Sequence, residues 1–317
     1  MDALSRLIQM ARPQAGLDLR CRLSGVYEIP HGAAPEGVAP FHLVLAGNCR
    51  IEAHGAWLRA RAGDFILFPR GGAHLVRDDG AQGAPSVFQT HDDGMLPQRH
   101  TGPGPVDVDL LCGHFEHVPG AGDLLFKSLP DPLCVSLTSD ESRPLQAIAE
   151  LMRLEGAERR PGALAIVTAL SQALLAMALR HLGEQPQRGA GILALLADAR
   201  LGASAQAVLK DPGQPWTIDA LGKLAAMSRA TYARRFRDVA GMSVFEFMTR
   251  VRMTVACDLL RQTRRSVADI GATVGYRSEA AFGKAFQLQV GELPGQYRRR
   301  AWHAGPGTPE KKSIPGR

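Results

Sequence analysis

The chain has 317 residues and only five cysteines, at positions 21, 49, 112, 134 and 257. Their number is odd, and none stand in CxxC spacing. That excludes both a zinc finger and a disulfide framework, and makes a reducing cytoplasm the expected compartment. A secretory leader is also lacking, because the opening "MDALSRLIQMARPQ" carries Asp2 and has no long apolar core. Long apolar runs are scarce as well. The most apolar stretch, Ala163 to Leu179, is short for a bilayer crossing and is interrupted by Thr168, Ser171 and Gln172, so no membrane partner is expected.

Charge is present, and it is unevenly spread. The net charge is +6. Residues 213–317 hold 18 Lys+Arg against 8 Asp+Glu, or +10, whereas residues 1–212 hold 19 against 23, or −4. A basic last third on a mildly acidic body fits a polyanion-binding module, with nucleic acid the usual partner.

The basic third contains an internal repeat. "SRATYARRFRDVAGMSVFEF" from Ser228 and "SEAAFGKAFQLQVGELPGQY" from Ser278 match at an offset of 50 residues. Ahead of them Ile218, Leu221 and Gly222 answer Val267, Ile270 and Gly271 with one residue of slip. Two copies make a duplicated unit and not a solenoid. In the first copy Thr217 caps a short helix and Ser228 caps a second one, with a tight connection around Ala226–Met227. This is the helix-turn-helix pattern. Tyr232, Phe236 and Val239 are expected to face inward, leaving Arg229, Ala230, Ala233, Arg234 and Arg237 as the outward stripe. Arginine there can bridge guanine edges or grip phosphate.

In the second copy Ser266 and Ser278 are the caps, and Phe282 and Phe286 face inward. The outward stripe is Glu279, Ala280, Gly283, Lys284 and Gln287. Gly283 costs about 1 kcal/mol in a helix interior, but on this face it would let the backbone approach a groove wall. One helix from about Val244 to Arg261 joins the copies. Its roughly 18 residues span about 27 Å. With the turns added, the two reading helices fall about one DNA turn apart, near 34 Å.

Residues 1–139 read as β-rich, with short alternating runs between Gly, Pro and Asp that suggest a barrel or sandwich. Residues 80–106 are Gly/Pro-rich and read as a mobile surface loop. Residues 140–210 change to helical period. Val167, Leu170, Leu174 and Met177 recur at seam spacing and point to a homodimer interface. The segment "KDPGQPW", Lys210 to Trp216, punctuates the chain before the basic third.

Residues 213–302 resemble the DNA-binding domain of the AraC/XylS family of bacterial transcription regulators. Gly275, Tyr276, Phe282, Phe286, Gly291, Pro294 and Tyr297 carry its downstream signature. The resemblance implies binding of a double-stranded operator and control of transcription, usually activation through RNA polymerase. "RAGDFILFPRGGAHLV", with Gly63, Asp64, Pro69, Gly71 and His74, resembles the second cupin motif. The His-x-His and glutamate of metal-binding cupins are missing, so a complete metal site of that kind is not expected. His31, His42 and His74 could still converge in one barrel interior, with structural or ligand-binding histidines as the preferred reading.

The arrangement is similar to a cupin-bearing subgroup, some of whose members respond to reactive chlorine or other oxidants through cysteine. Carried over, the candidates are Cys21 and Cys112. Arg20 and Arg22 flank Cys21, and adjacent cations favour a thiolate. Cys49, Cys134 and Cys257 read as structural, with Cys257 remote from the sensor.

The expected fold is therefore α+β. A cupin-like β-barrel sensor occupies 1–139, a helical linker and dimerisation segment 140–212, an all-α double helix-turn-helix 213–302, and a disordered tail 303–317. The expected function is that of a DNA-binding regulator, an activator and not an enzyme, that senses an oxidant or a small-molecule effector and carries no obligatory cofactor. The alternative is a cupin metalloenzyme, an isomerase or dioxygenase, with an appended DNA-binding domain.

Overall fold

The computed structural model describes residues 1–92, 96–101, 105–136, 143–158, 160–185 and 191–303. It opens with helix α1 (Ala3–Ala11), capped by the Asp2 carboxylate, which accepts from the Ser5 amide. Ten strands follow: β1 (Gln14–Leu23), β2 (Glu28–His31), β3 (Val38–Ala53), β4 (Ala56–Arg61), β5 (Asp64–Leu67), β6 (His74–Arg77), β7 (Gln89–Asp92), β8 (Pro97–His100), β9 (Val108–Glu116) and β10 (Leu133–Ser136). The short helix α2 (Asp123–Phe126) lies between the last two.

The long strand β3 belongs to two layers. Its first half joins the order β10-β5-β3-β9-β1-β8-β7, and its second half pairs with β4 and β6, with β2 beyond β6. The centre of the larger layer, β5, β9 and the first half of β3, is buried on both faces and reads as near-continuous apolar runs, whereas β7 at its edge is exposed. Phe41, Leu43, Leu111 and Phe115 pack outward against helices. Their alternate neighbours Val44, Leu110 and Cys112 fill the barrel interior with Cys21, Cys49, Ile51 and Phe68.

The stretch 80–106 corrects the loop reading. It carries β7 and β8, and β8 runs parallel to β1 with Cys21 opposite Arg99. Residues 93–95 and 102–104 lie outside the described ones.

The linker holds α3 (Arg143–Glu158), α4 (Ala163–Glu184), α5 (Ile192–Ala197) and α6 (Leu201–Lys210). Helix α4 extends beyond the apolar run and is long and apolar enough, by length and composition alone, to cross a membrane. Here Val167, Leu174, Leu175, Ala178 and Leu179 are instead buried in the chain's own core. The expected intersubunit seam is therefore corrected. Val167 and Leu174 are fully buried, and Leu170 and Met177 pack against the same core.

The last third holds α7 (Ile218–Leu224), α8 (Arg229–Ala240), α9 (Val244–Gln262), α10 (Val267–Thr273), α11 (Glu279–Val290) and α12 (Pro294–His303). His303 closes α12, so the expected tail starts one residue later at the earliest; residues 304–317 lie outside the described ones. The N-terminal domain touches both the linker and the last third. Arg6 of α1 donates to the carbonyls of Leu209 and Lys210 in α6 at 2.6 and 3.0 Å, and Arg12 pairs with Asp258 of α9 at 3.3 Å.

Candidate nucleic-acid interface and sensor site

Both helix-turn-helix units are built by the same local devices. Thr217, Ser228, Ser266 and Ser278 each cap a helix by accepting an amide three residues on. Each such cap contributes about 1 kcal/mol. The helices of each pair cross closely because Gly222 and Gly271 stand at the crossing. A Cβ on Gly222 would come within 3.6 Å of Tyr232, and one on Gly271 within 3.1 Å of Phe282. In each turn an amide returns to that glycine's carbonyl, Met227 to Gly222 and Tyr276 to Gly271, at 2.9 Å. The left-handed residue is Gly275 in the second turn but Ala226, with φ 52°, in the first.

Tyr232, Phe236, Phe282 and Phe286 are buried as expected, and Val239 is partly so. The outward stripes are open to solvent. Arg229, Ala230, Arg234, Arg237, Glu279, Ala280, Lys284 and Gln287 are exposed, and Ala233 and Gly283 are half-buried. A Cβ on Gly283 would meet no atom within 4 Å, so packing within the chain does not require a glycine there. Arg229 pairs with Asp219 at 3.7 Å, and Arg235 is tied to Asp198 at 2.9 Å. Among the described residues Arg234 and Arg237 have no ion-pair partner.

Inside the barrel the two candidate cysteines and three candidate histidines fall into one continuous polar chain. Strands β1 and β9 are antiparallel, with Leu19 opposite Cys112 and Cys21 opposite Leu110. Cys21 and Cys112 are thus diagonal neighbours on one face, both packed in the barrel-interior cluster. Cys112 Sγ lies 3.2 Å from His42 Nδ1, and His42 Nε2 lies 2.8 Å from His74 Nε2. His74 Nδ1 is 2.9 Å from the Gly72 carbonyl.

That carbonyl can only accept, which orders the protons along the chain. His74 donates from Nδ1, so its Nε2 accepts from His42 Nε2. His42 Nδ1 is then a lone pair facing the Cys112 S–H. His31 stands directly opposite His74 in the β2–β6 pairing. The His74 ring is held between Phe68 at 3.7 Å and His31 at 4.6 Å between centroids, both nearly parallel to it.

Burial drives the electrostatics of this group. It pushes His31 down to about 4, helped by His74 and Arg99. It also lowers His42, with His31 and His74 adding to the effect. It lowers His74 against the opposing pull of the Gly72 carbonyl and Asp131. The neighbouring Cys21 thiol, together with burial, holds Cys112 well above the usual thiol range. Burial thus favours the thiol form of Cys112 and the neutral forms of the three imidazoles. Such buried thiols resist casual oxidation.

Two expectations are overturned. Arg20 and Arg22 alternate with Cys21 and lie on the other face of β1. Arg20 makes a buried two-pronged pair with Asp109 at 2.9 and 2.7 Å and donates to the Gly156 carbonyl of α3 at 2.8 Å. The group beside the thiol pair is His42, which the sequence singled out only as a metal candidate. Cys257 is not remote from the sensor. A Cβ on Gly120 would come within 2.8 Å of its Sγ, and the Tyr297 hydroxyl donates to the Pro119 carbonyl at 3.1 Å. The loop after β9 therefore rests on the second helix-turn-helix unit, a contact of high sequence separation that no local pattern announces.

Comparison with known proteins agrees with this architecture. A family profile described as cupin matches residues 2–184, and one described as a helix-turn-helix domain matches residues 221–300. An uncharacterized HTH-type transcriptional regulator of Haemophilus influenzae is 32% identical over 94% of this chain and 99% of its own length. The HTH-type transcriptional regulator MtrA of Neisseria gonorrhoeae is 32% identical over 94% of this chain and 98% of its own. The RCS-specific HTH-type transcriptional activator RclR of Escherichia coli is 30% identical over 96% of this chain and 100% of its own. With the cupin-like sensor, the duplicated helix-turn-helix and full-length relatives in hand, the chain belongs to the cupin-bearing AraC-type family of DNA-binding transcriptional regulators.

Proposed function

We propose that this regulator is a cytoplasmic homodimer that activates transcription, together with RNA polymerase, when a reactive chlorine species oxidises Cys21 and Cys112. The observation that carries the reading is the diagonal placement of these two thiols on one face of the β1–β9 pair, with His42 against one of them. The printed name of the Escherichia coli relative points to the same class of signal.

The chemistry balances with hypochlorous acid as oxidant. It transfers chlorine to Cys112 sulfur, and the thiol proton leaves with the hydroxide as water; His42 Nδ1 is placed to carry that proton. The Cys21 thiol then displaces chloride and loses its own proton, giving a disulfide. The two thiols lose two electrons, and the chlorine leaves as chloride. Diagonal strand neighbours lie about 7–8 Å apart, whereas a relaxed disulfide needs Cα atoms within roughly 6.8 Å. Closing the bond would therefore draw β1 along β9.

Strand β9 leads within a few residues into the Pro119–Ala121 turn, which rests on Cys257 and Tyr297. That supplies a physical route from thiol to reader. Differential stability of the two docked arrangements is what can shift DNA affinity. In the reader, Arg229, Ala230, Ala233, Arg234 and Arg237 would meet one major groove. Glu279, Ala280, Gly283, Lys284 and Gln287 would meet the next. For the dimer, the apolar side chains left exposed on the neighbouring helices α3 and α4 are Leu151, Leu154, Leu164 and Ile166. They offer a second copy the seam that the buried residues do not.

The test combines mass spectrometry of the non-reduced protein after stoichiometric hypochlorous acid with a reporter assay. A Cys21–Cys112 disulfide is expected, with loss of the response in Cys21→Ser and Cys112→Ser. A full response in both variants would remove the redox reading and leave a small ligand as the effector.

A further inference from the structure

The three histidines at the inner end of the polar chain invite a reading of their own. They come from three strands, β2, β3 and β6, and one nitrogen from each lies within 4.8 Å of the others. Two of them already meet nitrogen to nitrogen, His42 Nε2 to His74 Nε2 at 2.8 Å. We propose that His31, His42 and His74 form a binding site for one late first-row transition-metal ion in the sensor barrel.

Three arguments support this. The first is orientation. A metal-binding imidazole works best when its other nitrogen is held by a partner. His74 Nδ1 is held by the Gly72 carbonyl and its ring is clamped between Phe68 and His31, while His42 Nδ1 is held by Cys112. The ligating nitrogens of His42 and His74 thus already face one another before any ion arrives, with one His31 nitrogen within 4.8 Å of them. Two nitrogens bound at about 2.0–2.1 Å in a tetrahedron sit roughly 3.3 Å apart. The His42–His74 pair need open by only about half an ångström; the His42 proton moves from Nε2 to Nδ1, where it donates to Cys112 Sγ, so that both Nε2 lone pairs face the ion as neutral imidazoles.

The second argument is donor type. Three imidazoles without a carboxylate suit zinc, copper or nickel and not magnesium or calcium. Three protein ligands also leave a fourth position for water or a small ligand. This is not the His-x-His-plus-glutamate arrangement of metal-binding cupins, which the sequence lacks.

The third is charge. Asp131 has a buried carboxylate, neither oxygen of which has a hydrogen-bond partner among the described residues. Its charge acts on His74, while the Arg70 guanidinium and the His54 ring stand 3.8 Å away, beyond hydrogen-bond distance. An under-satisfied buried anion favours a cation close by. His31 is only partly buried, which gives an ion a way in. The site does not depend on a bond between Cys21 and Cys112.

The test uses the full-length reduced protein and two probes, zinc by equilibrium dialysis and cobalt(II) as a spectroscopic reporter. One zinc per chain is expected at micromolar free metal, with none retained when magnesium or calcium replaces it. Cobalt should give the visible bands of a four-coordinate nitrogen–oxygen site. His31→Gln, at a partly exposed position, should weaken binding at least tenfold while near-UV circular dichroism and operator binding show the protein folded. His74→Gln should do the same.

The Cys21→Ser/Cys112→Ser protein should still bind one ion, so this outcome is separable from the fate of the redox reading. His114→Gln, outside the triad, should bind as the parent does. Less than one zinc per chain, unchanged affinity in His31→Gln and His74→Gln, or an intense thiolate-to-cobalt band would each overturn the three-imidazole site.

Discussion

The two helix-turn-helix units share a scaffold and differ in chemistry. Their caps, crossing glycines and buried aromatic pairs correspond position by position. Their outward stripes do not. Helix α8 carries four arginines and one aspartate, whereas α11 carries one glutamate and one lysine around Gly283. Their anchors differ too. The buried Tyr232 hydroxyl of the first unit donates to Ser204 Oγ of the linker at 2.9 Å, while Tyr297 of the second reaches the sensor loop at Pro119. The difference separates two tasks. Fold demands apolar matches at the crossing, which duplication preserves, whereas the solvent face is free to diverge. The first unit is equipped to hold DNA by charge. The second is equipped for close approach and is the one the sensor touches.

Several substitutions would sharpen or break this contrast. The largest effect is expected from Arg234→Ala, which should weaken operator binding by about 1–3 kcal/mol if the guanidinium reads a base. The check is a titration against operator and point-mutated operators, and unchanged affinity and specificity would remove Arg234 from the reading set. Lys284→Ala should act differently, lowering affinity uniformly across sequences and reducing the salt slope by about 1. Binding measured across a salt series decides it.

Tyr232→Phe and Tyr297→Phe should each cost about 0.5–1.5 kcal/mol of stability through a lost hydrogen bond. Only Tyr297→Phe should also blunt the oxidant response in a reporter assay; equal effects would show that the sensor does not signal through the second unit. Gly283→Ala should raise stability by about 1 kcal/mol, since open space surrounds the position, and should weaken operator binding. A stabilised variant that binds as well as the parent would make Gly283 a tolerated weak spot. The smallest effect belongs to Ala226→Gly, expected to stabilise by about 0.5–1 kcal/mol because alanine there pays for a left-handed backbone. Thermal melts measure both glycine changes.

Much of this contrast was legible in the sequence, and for a physical reason. Helix caps, aromatic spacing and a fixed offset are local signals, so both units, their buried residues and their outward stripes could be placed from residues alone. Segments of β3 and β9 were legible as short runs, many alternating, between turn residues, because their buried positions demand apolar side chains. Strands β7 and β8 were not, since their partner β1 lies far off in sequence and their own residues are polar and Gly/Pro-flanked. The link from Cys112 to His42 to His74 joins positions 112, 42 and 74 across two layers, and no spacing rule reports it. The flanking arginines misled because alternation along a strand sends neighbours to opposite faces. The seam in α4 misled because seam spacing describes packing against a helix or against a sheet equally well.

One measurement bears most directly on the central claim that both units grip one duplex: nuclease protection of an operator by the intact protein and by the Arg234→Ala and Lys284→Ala variants. The account predicts protection over two neighbouring major grooves on one face, about one helical turn apart, with each variant losing contacts at its own groove. Protection confined to a single groove, or losses at the same groove in both variants, would contradict it.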